Sequence, residues 1–174
     1  MVLDYGQMGI HARKEFVILG LDPGRDKIGF AFVDSDGGLR ASGMFPSSES
    51  SKFFLAVKSD REALREFIIE GGLDALPEDI AGSVNFIAIG NGTHSAEFTE
   101  RVRESLSAEI LTVDERNTTL EARSLYWKIH RPGLLMRLIP EGLRVPARVL
   151  DDLAAWAIAL RAVKKYRDMS QNKL

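Results

Sequence analysis

The chain has no cysteine, which excludes disulfide bridges, thiolate metal sites and a cysteine nucleophile. It has no long apolar run either. The longest, Leu153 to Leu160, is far too short to cross a bilayer, so no membrane association is expected. The opening MVLDYGQMGIHARKE lacks the basic, then apolar, then small order of a signal peptide. Residues 1–15 read as an N-terminal extension, residues 16–174 as one domain, and the protein as cytoplasmic. There is no excess of positive charge: the formal net charge is −2, so composition alone does not point to nucleic acid. Proline is scarce, six in 174 residues. Three of the six, Pro132, Pro140 and Pro146, fall between His130 and Ala147, which cannot be one helix. What remains, 45% hydrophobic and 28% charged, is the composition of a globular domain with a sizeable core.

The stretch FVILGLDPGRDKIGFAFVDSD, Phe16 to Asp36, reads as two strands and a tight turn. Pro23 and Gly24 break the first run just after Asp22. A carboxylate where a buried strand opens into a loop is either a turn cap or a metal ligand, because an unpaired buried carboxylate is costly. Leu39–Phe45 reads as a third strand, Pro46–Ser51 as a Ser-rich loop, and Ser59–Glu62 as a capping box before a helix carrying Leu64, Phe67 and Ile68. Asn85–Ile89 and Glu109–Val113 read as the fourth and fifth strands. A helix opening at Ser95 separates them, with Ser95 as its N-cap, and another runs through Leu120 to Tyr126. A last, apolar helix is expected from near Val149 to about Lys165. Three strands in a meander followed by alternating helices and strands predict an α/β fold: a mixed five-stranded sheet with helices on both faces.

Three acids occupy equivalent places: Asp22 ends the first strand, Glu115 ends the fifth beside Asp114, and Asp151 lies with Asp152 in the first turn of the last helix. Ligands of open sheets bind beyond the carboxyl ends of parallel strands. Converging carboxylates repel one another unless cations lie among them, and oxygen-only ligands suit Mg²⁺ or Mn²⁺. Taken singly, each acid is equally well a helix-terminal or capping residue. The loop Gly90-Asn91-Gly92-Thr93-His94-Ser95 would expose backbone N–H groups at a helix start, with Thr93 and Ser95 placed to bind a phosphate, or it is a plain strand-to-helix turn. Basic residues crowd the last third: Arg116, Arg123, Lys128, Arg131, Arg137, Arg144 and Arg148 stand against Glu121 and Glu141 between 116 and 148. That is either a footprint for phosphates or a solvated face. Tyr126 and Trp127 among them would stack on unpaired bases or pack inward.

Four motifs, ILGLDPGRDKIGFAFVD, FIAIGNGT, LTVDERNTTLEA and LDDLAAWAIAL, resemble the YqgF/RuvX family of RNase H-like nucleases, also described as Holliday junction resolvases. The resemblance spans about residues 16–163. It implies an RNase H-like fold and metal-dependent phosphodiester hydrolysis, in maturation of the small-subunit ribosomal RNA precursor or in resolution of branched DNA. Carried over, the family's acids fall on Asp22, Glu115 and Asp151 as catalytic and metal-binding residues. Gly24, Lys27, Asn91, Thr93, Ser95, Arg116, Thr118, Arg123, Lys128 and Arg131 are the expected contacts to nucleic acid. The GNGTHS loop departs from the family pattern and looks closer to the domain inside the Tex transcription factors, which keeps a non-catalytic nucleic-acid-binding module open. The spacing Asp22 to Gly29 also resembles the first phosphate loop of actin-like ATPases, which need a second lobe to enclose a nucleotide. Monomer and homodimer are both compatible with the sequence.

Overall fold

The computed structural model describes residues 16–140 and 143–171; the expected N-terminal extension lies outside them. The apolar run opens as β1 (Val17–Pro23), in which every residue but Asp22 is buried. A turn in which Gly24 N–H donates to the Lys27 carbonyl (3.0 Å) leads into β2 (Lys27–Asp34), and a second turn into β3 (Leu39–Pro46). Next come α1 (Ser50–Ser59), a 3₁₀ helix over Arg61–Glu66, and the short strand β4 (Ile68–Gly71). The one-turn α2 (Ile80–Ser83) precedes β5 (Val84–Gly90). Then α3 (Ser95–Ser105), β6 (Glu109–Val113), α4 (Thr118–Ile129), the one-turn α5 (Leu134–Arg137) and α6 (Asp151–Gln171) complete the chain.

The sheet order is β4-β3-β2-β1-β5-β6. The first four strands in that order pair antiparallel, and β1, β5 and β6 pair parallel. This is the mixed α/β sheet expected from the sequence, a meander followed by parallel strands, with six strands instead of five. The sixth is β4, whose residues the sequence pattern placed on a helix. Asp60 does cap a helix there, accepting from Ala63 N–H at 3.3 Å, but it is a short 3₁₀ turn. The chain then pairs its backbone with β3, a gain from a distant partner that local periodicity cannot report. The true helix of this region, α1, begins inside what reads as a Ser-rich loop.

Strand alternation sorts the core into two layers. Val17, Leu19 and Leu21 of β1 face α1 and α3, where Phe30, Phe45, Phe53, Phe54, Phe67 and Phe98 pack together. The Phe45 and Phe53 rings stack with centroids 4.1 Å apart. Ile18, Ala31, Val33, Ala88 and Val113 face the other way, onto Ala155, Ile158, Ala159, Ala162 and Val163 of α6. Here helix and sheet approach closely. A Cβ on Gly20 would collide with the Ala155 carbonyl, and one on Gly29 with the Asp151 carbonyl. α6 thus starts over Gly29 and runs down β1 past Gly20. The Pro-rich segment stands away from this body, with Leu134, Leu135 and Leu138 all more than 80% exposed.

Candidate active site

Asp22 pairs with Gly29 across the β1–β2 ladder. By alternation with Ile18 and Gly20, its side chain lies on the α6 face of the sheet. Gly29 lies directly under the Asp151 backbone, so the first turn of α6 covers the sheet beside Asp22. Glu115 arrives from the other side, just beyond β6. Its carboxylate lies over Gly90 and Gly92, and a Cβ on Gly90 would meet Glu115 Oε2 at 2.8 Å. The glycines of the GNGT loop thus make room for a carboxylate.

The three acids act on one another. Burial, then the charges of Glu115 and Asp151, raise the Asp22 carboxyl from its ordinary 3.8 to about 7. Among the described residues, none of the three carboxylates has a hydrogen-bonded or ion-paired partner. Their neighbours in sequence are engaged instead. Asp114 binds Arg116 through Arg116 Nε (2.8 Å) and Nη2 (2.7 Å). Asp152, fully buried, binds Arg148 (Nη1–Oδ1 2.7 Å, Nη2–Oδ2 3.0 Å) and accepts from the Ser42 hydroxyl at 3.0 Å. Arg148 Nη2 also reaches Glu70 Oε1 at 2.7 Å, and His130 Nε2 meets the same oxygen at 2.7 Å. The adjacent pairs are thereby resolved: Glu115 and Asp151 are the uncommitted members, Asp114 and Asp152 the structural ones. Glu70 and Ser42 carry no motif and were not singled out in the sequence, and Arg148 was read there as one of the basic residues for phosphates; the Arg148–Asp152 spacing of four was the one available signal of the pair.

Asp22 and Glu115 line a cleft of about 490 Å³ together with Arg25, Thr93, His94 and Thr118, among others. Asn91 and Thr118 are spent on Glu115. The Asn91 Oδ1 accepts from Glu115 N–H at 3.1 Å, and the Thr118 hydroxyl donates to the Glu115 carbonyl at 2.8 Å. Asn117, at φ 66°, makes the left-handed turn that joins Glu115 to α4. Thr93 lines the cleft, exposed. Ser95 is the first residue of α3 rather than its cap, and its hydroxyl donates to the Gly92 carbonyl at 2.7 Å. Gly24 and Lys27 sit on the exposed β1–β2 turn. Arg116 is neutralised by Asp114. Arg123, Lys128 and Arg131 are exposed without ion-pair partners among the described residues, but they lie along α4 and beyond it. Lys128 is ten residues on from Thr118, roughly 15 Å at 1.5 Å per residue. Tyr126 packs inward, under the Arg148 guanidinium at 5.8 Å.

The donor set fits a hard divalent cation in its chemistry, being all oxygen and uncompensated. As it stands, no group of three or more His, Asp or Glu side chains among the described residues is drawn tightly enough together to ligate one ion.

No family model matches the chain. It is 29% identical over 159 residues to the "Putative pre-16S rRNA nuclease" of Caldanaerobacter subterraneus subsp. tengcongensis, covering 89% of this chain and 98% of that protein. It is 29% identical over 156 residues to the protein of the same name from Thermoanaerobacter pseudethanolicus, covering 90% and 99%. Among solved structures, T. thermophilus RuvC in complex with a Holliday junction substrate aligns over 87% of this chain and 96% of that one, with 17% identity and a TM-score of 0.42, too low to carry an assignment. The chain is thus similar, almost end to end, to two proteins that carry the name of pre-16S rRNA nucleases.

Proposed function

We propose that the protein is a divalent-metal-dependent endonuclease acting on structured nucleic acid, with the ribosomal RNA precursor named for its relatives as the first substrate to try and branched DNA as the second. The observation that carries the reading is the mutual charge of Asp22, Glu115 and Asp151, left without a basic partner at one end of the sheet. A folded chain keeps such a charge cluster at a cost, and Mg²⁺ or Mn²⁺ is the ligand that offsets it. Asp22, Glu115 and Asp151 would hold the ion or ions, which when bound supply an activated water and neutralise the leaving oxygen.

The chain's own groups do the rest. Asn91 and Thr118 orient the Glu115 backbone, and the Arg148–Asp152 pair anchors the turn that carries Asp151. The exposed hydroxyls of Thr93 and Thr119 are free to donate to phosphate oxygens, and Arg25 and Lys27 offer cationic contacts on the turn after Asp22.

The test is cleavage of a pre-16S rRNA fragment and of a four-way DNA junction, with Mg²⁺, with Mn²⁺ and with EDTA. Metal-dependent cutting that Asp22→Asn abolishes is expected. Cutting by Asp22→Asn at the wild-type rate overturns the metal site. Salt-dependent binding without cutting in either metal leaves a binding module, the reading favoured by the spread of the three carboxylates.

A further inference from the structure

The acid cleft shares a wall with a second cleft of about 340 Å³. Pro23, Arg25 and His94 line both. The far side of the second cleft is made by Ser47 and Ser48, just after β3, and by Glu97 and Arg101 of α3. Neither sequence motifs nor the three acids account for it.

Arg25 is the notable wall residue. Among the described residues lining the acid cleft it is the one permanently charged cation. Its guanidinium has no hydrogen-bonded or ion-paired partner among the described residues, whereas Arg61, Arg116, Arg148, Arg161 and Arg167 are all engaged. Its backbone, by contrast, is held. The Ser47 hydroxyl donates to the Arg25 carbonyl at 2.9 Å, and Ser47 N–H donates to the Asp26 carbonyl at 2.9 Å. The turn is therefore anchored to the end of β3 while the charge stays uncommitted. Across the cleft Arg101 makes a loose contact with exposed Glu97, at 3.9 Å, and its guanidinium lies over the Phe98 ring at 5.6 Å. The Ser48 hydroxyl has no partner among the described residues.

We propose that this second cleft is a subsite for the nucleotide next to the bond at the acids, with Arg25 gripping the phosphate between the two clefts and Arg101 the phosphate beyond. The proposal rests on the nuclease reading and deepens it. A polyanion approaching three carboxylates is repelled unless cations stand along its path, and a fork of guanidinium donors matches a phosphodiester. Glu97 opposes the same ligand, so the subsite predicts effects of both signs.

The experiment measures binding of a fluorescently labelled RNA hairpin, and of a labelled four-way DNA junction, by anisotropy in EDTA across a salt series. The proteins are the wild type, Arg25→Ala, Arg25→Lys, Arg101→Ala and Glu97→Gln, with thermal melts to check folding. Arg25→Ala and Arg101→Ala are expected to weaken binding about three- to tenfold each and to lower the log–log salt slope by about one. Arg25→Lys keeps the slope with part of the affinity, and Glu97→Gln binds more tightly. Wild-type affinity and slope in both alanine variants overturn the subsite while leaving the nuclease reading intact. Failure of the wild-type chain to bind either probe overturns both. Arginine-dependent binding with no cutting in Mg²⁺ or Mn²⁺ keeps the subsite and sinks the enzyme.

Discussion

Arg148, just before α6, and Asp152 in its first turn face each other, with both terminal guanidinium nitrogens on the carboxylate at 2.7 and 3.0 Å. Asp152 has no solvent exposure, so this pair fixes the first turn of α6 from beneath while Asp151 points elsewhere. Glu70 extends the anchor to β4, and Ser42 extends it to β3.

Removing Arg148 alone leaves a buried carboxylate with a single hydroxyl partner. Arg148→Ala is expected to destabilise the domain by about 3–5 kcal/mol, and Arg148→Met with Asp152→Leu to recover most of that loss. Denaturant unfolding of the two variants checks it. Equal loss in both would mean that the charge pair is not what holds the turn.

Asp22 makes stability depend on pH in an unusual direction. Its carboxyl titrates near 7 in the folded chain and near 3.8 in the unfolded one. Between those values the folded state binds the extra proton, so without metal the stability falls as pH rises from about 4 to 7 and stays low above that. The fall is at most about 4 kcal/mol, taking 1.36 kcal/mol per pKa unit. Asp22→Asn should flatten the slope and melt higher than the wild type at pH 8 in EDTA. A steeper slope in the variant contradicts the placement of the three charges.

Metal addition should act in the opposite sense. Mg²⁺ or Mn²⁺ above pH 7 is expected to raise the melting temperature of the wild type, and to raise it much less for Asp22→Asn or Glu115→Gln. No stabilisation at millimolar Mn²⁺ would count against ligation.

Asn91 touches Glu115 only through the backbone. Asn91→Ala is expected to weaken metal binding about 10–100-fold through loss of that orientation, with folding little changed. Titration calorimetry with Mn²⁺ separates this from a direct ligand, whose loss would end binding.

A methyl group at position 29 would strike the Asp151 carbonyl. Gly29→Ala should lift the start of α6, costing about 1–3 kcal/mol and moving Asp151 away from Asp22. Lower stability together with a shallower pH slope would report both effects.

Much of this was legible in the residues. The Phe16–Asp36 hairpin, β5 and β6 show as short apolar runs between strong breakers, and the acids stand at the ends of those runs. The strand β4 was not legible because four residues ending at Gly71 have no period of their own, and the pairing that defines them is with β3. Nor could the sequence choose between Asp114 and Glu115, or Asp151 and Asp152. Adjacent side chains point in different directions from a strand end or a helix turn, so one acid of each pair acts on Asp22 and its neighbour meets an arginine. Arg116 and Arg148 read as basic residues for phosphates and are occupied by those neighbours. Arg25, on the turn just after Asp22, is the cleft-lining cation without a partner among the described residues.

Asp152 of the anchor and the third acid both belong to α6, the most C-terminal of the described elements. During synthesis, β1 and β6 are complete while the residues after Val113 are still being added. A ribosome-tethered chain that lacks α6 has neither Asp151 nor the cover over Gly20 and Gly29. The order of synthesis thus adds the third carboxylate only after all six strands of the sheet are made, so a chain stopped before Asp151 carries two of the three acids and no cover over Gly29.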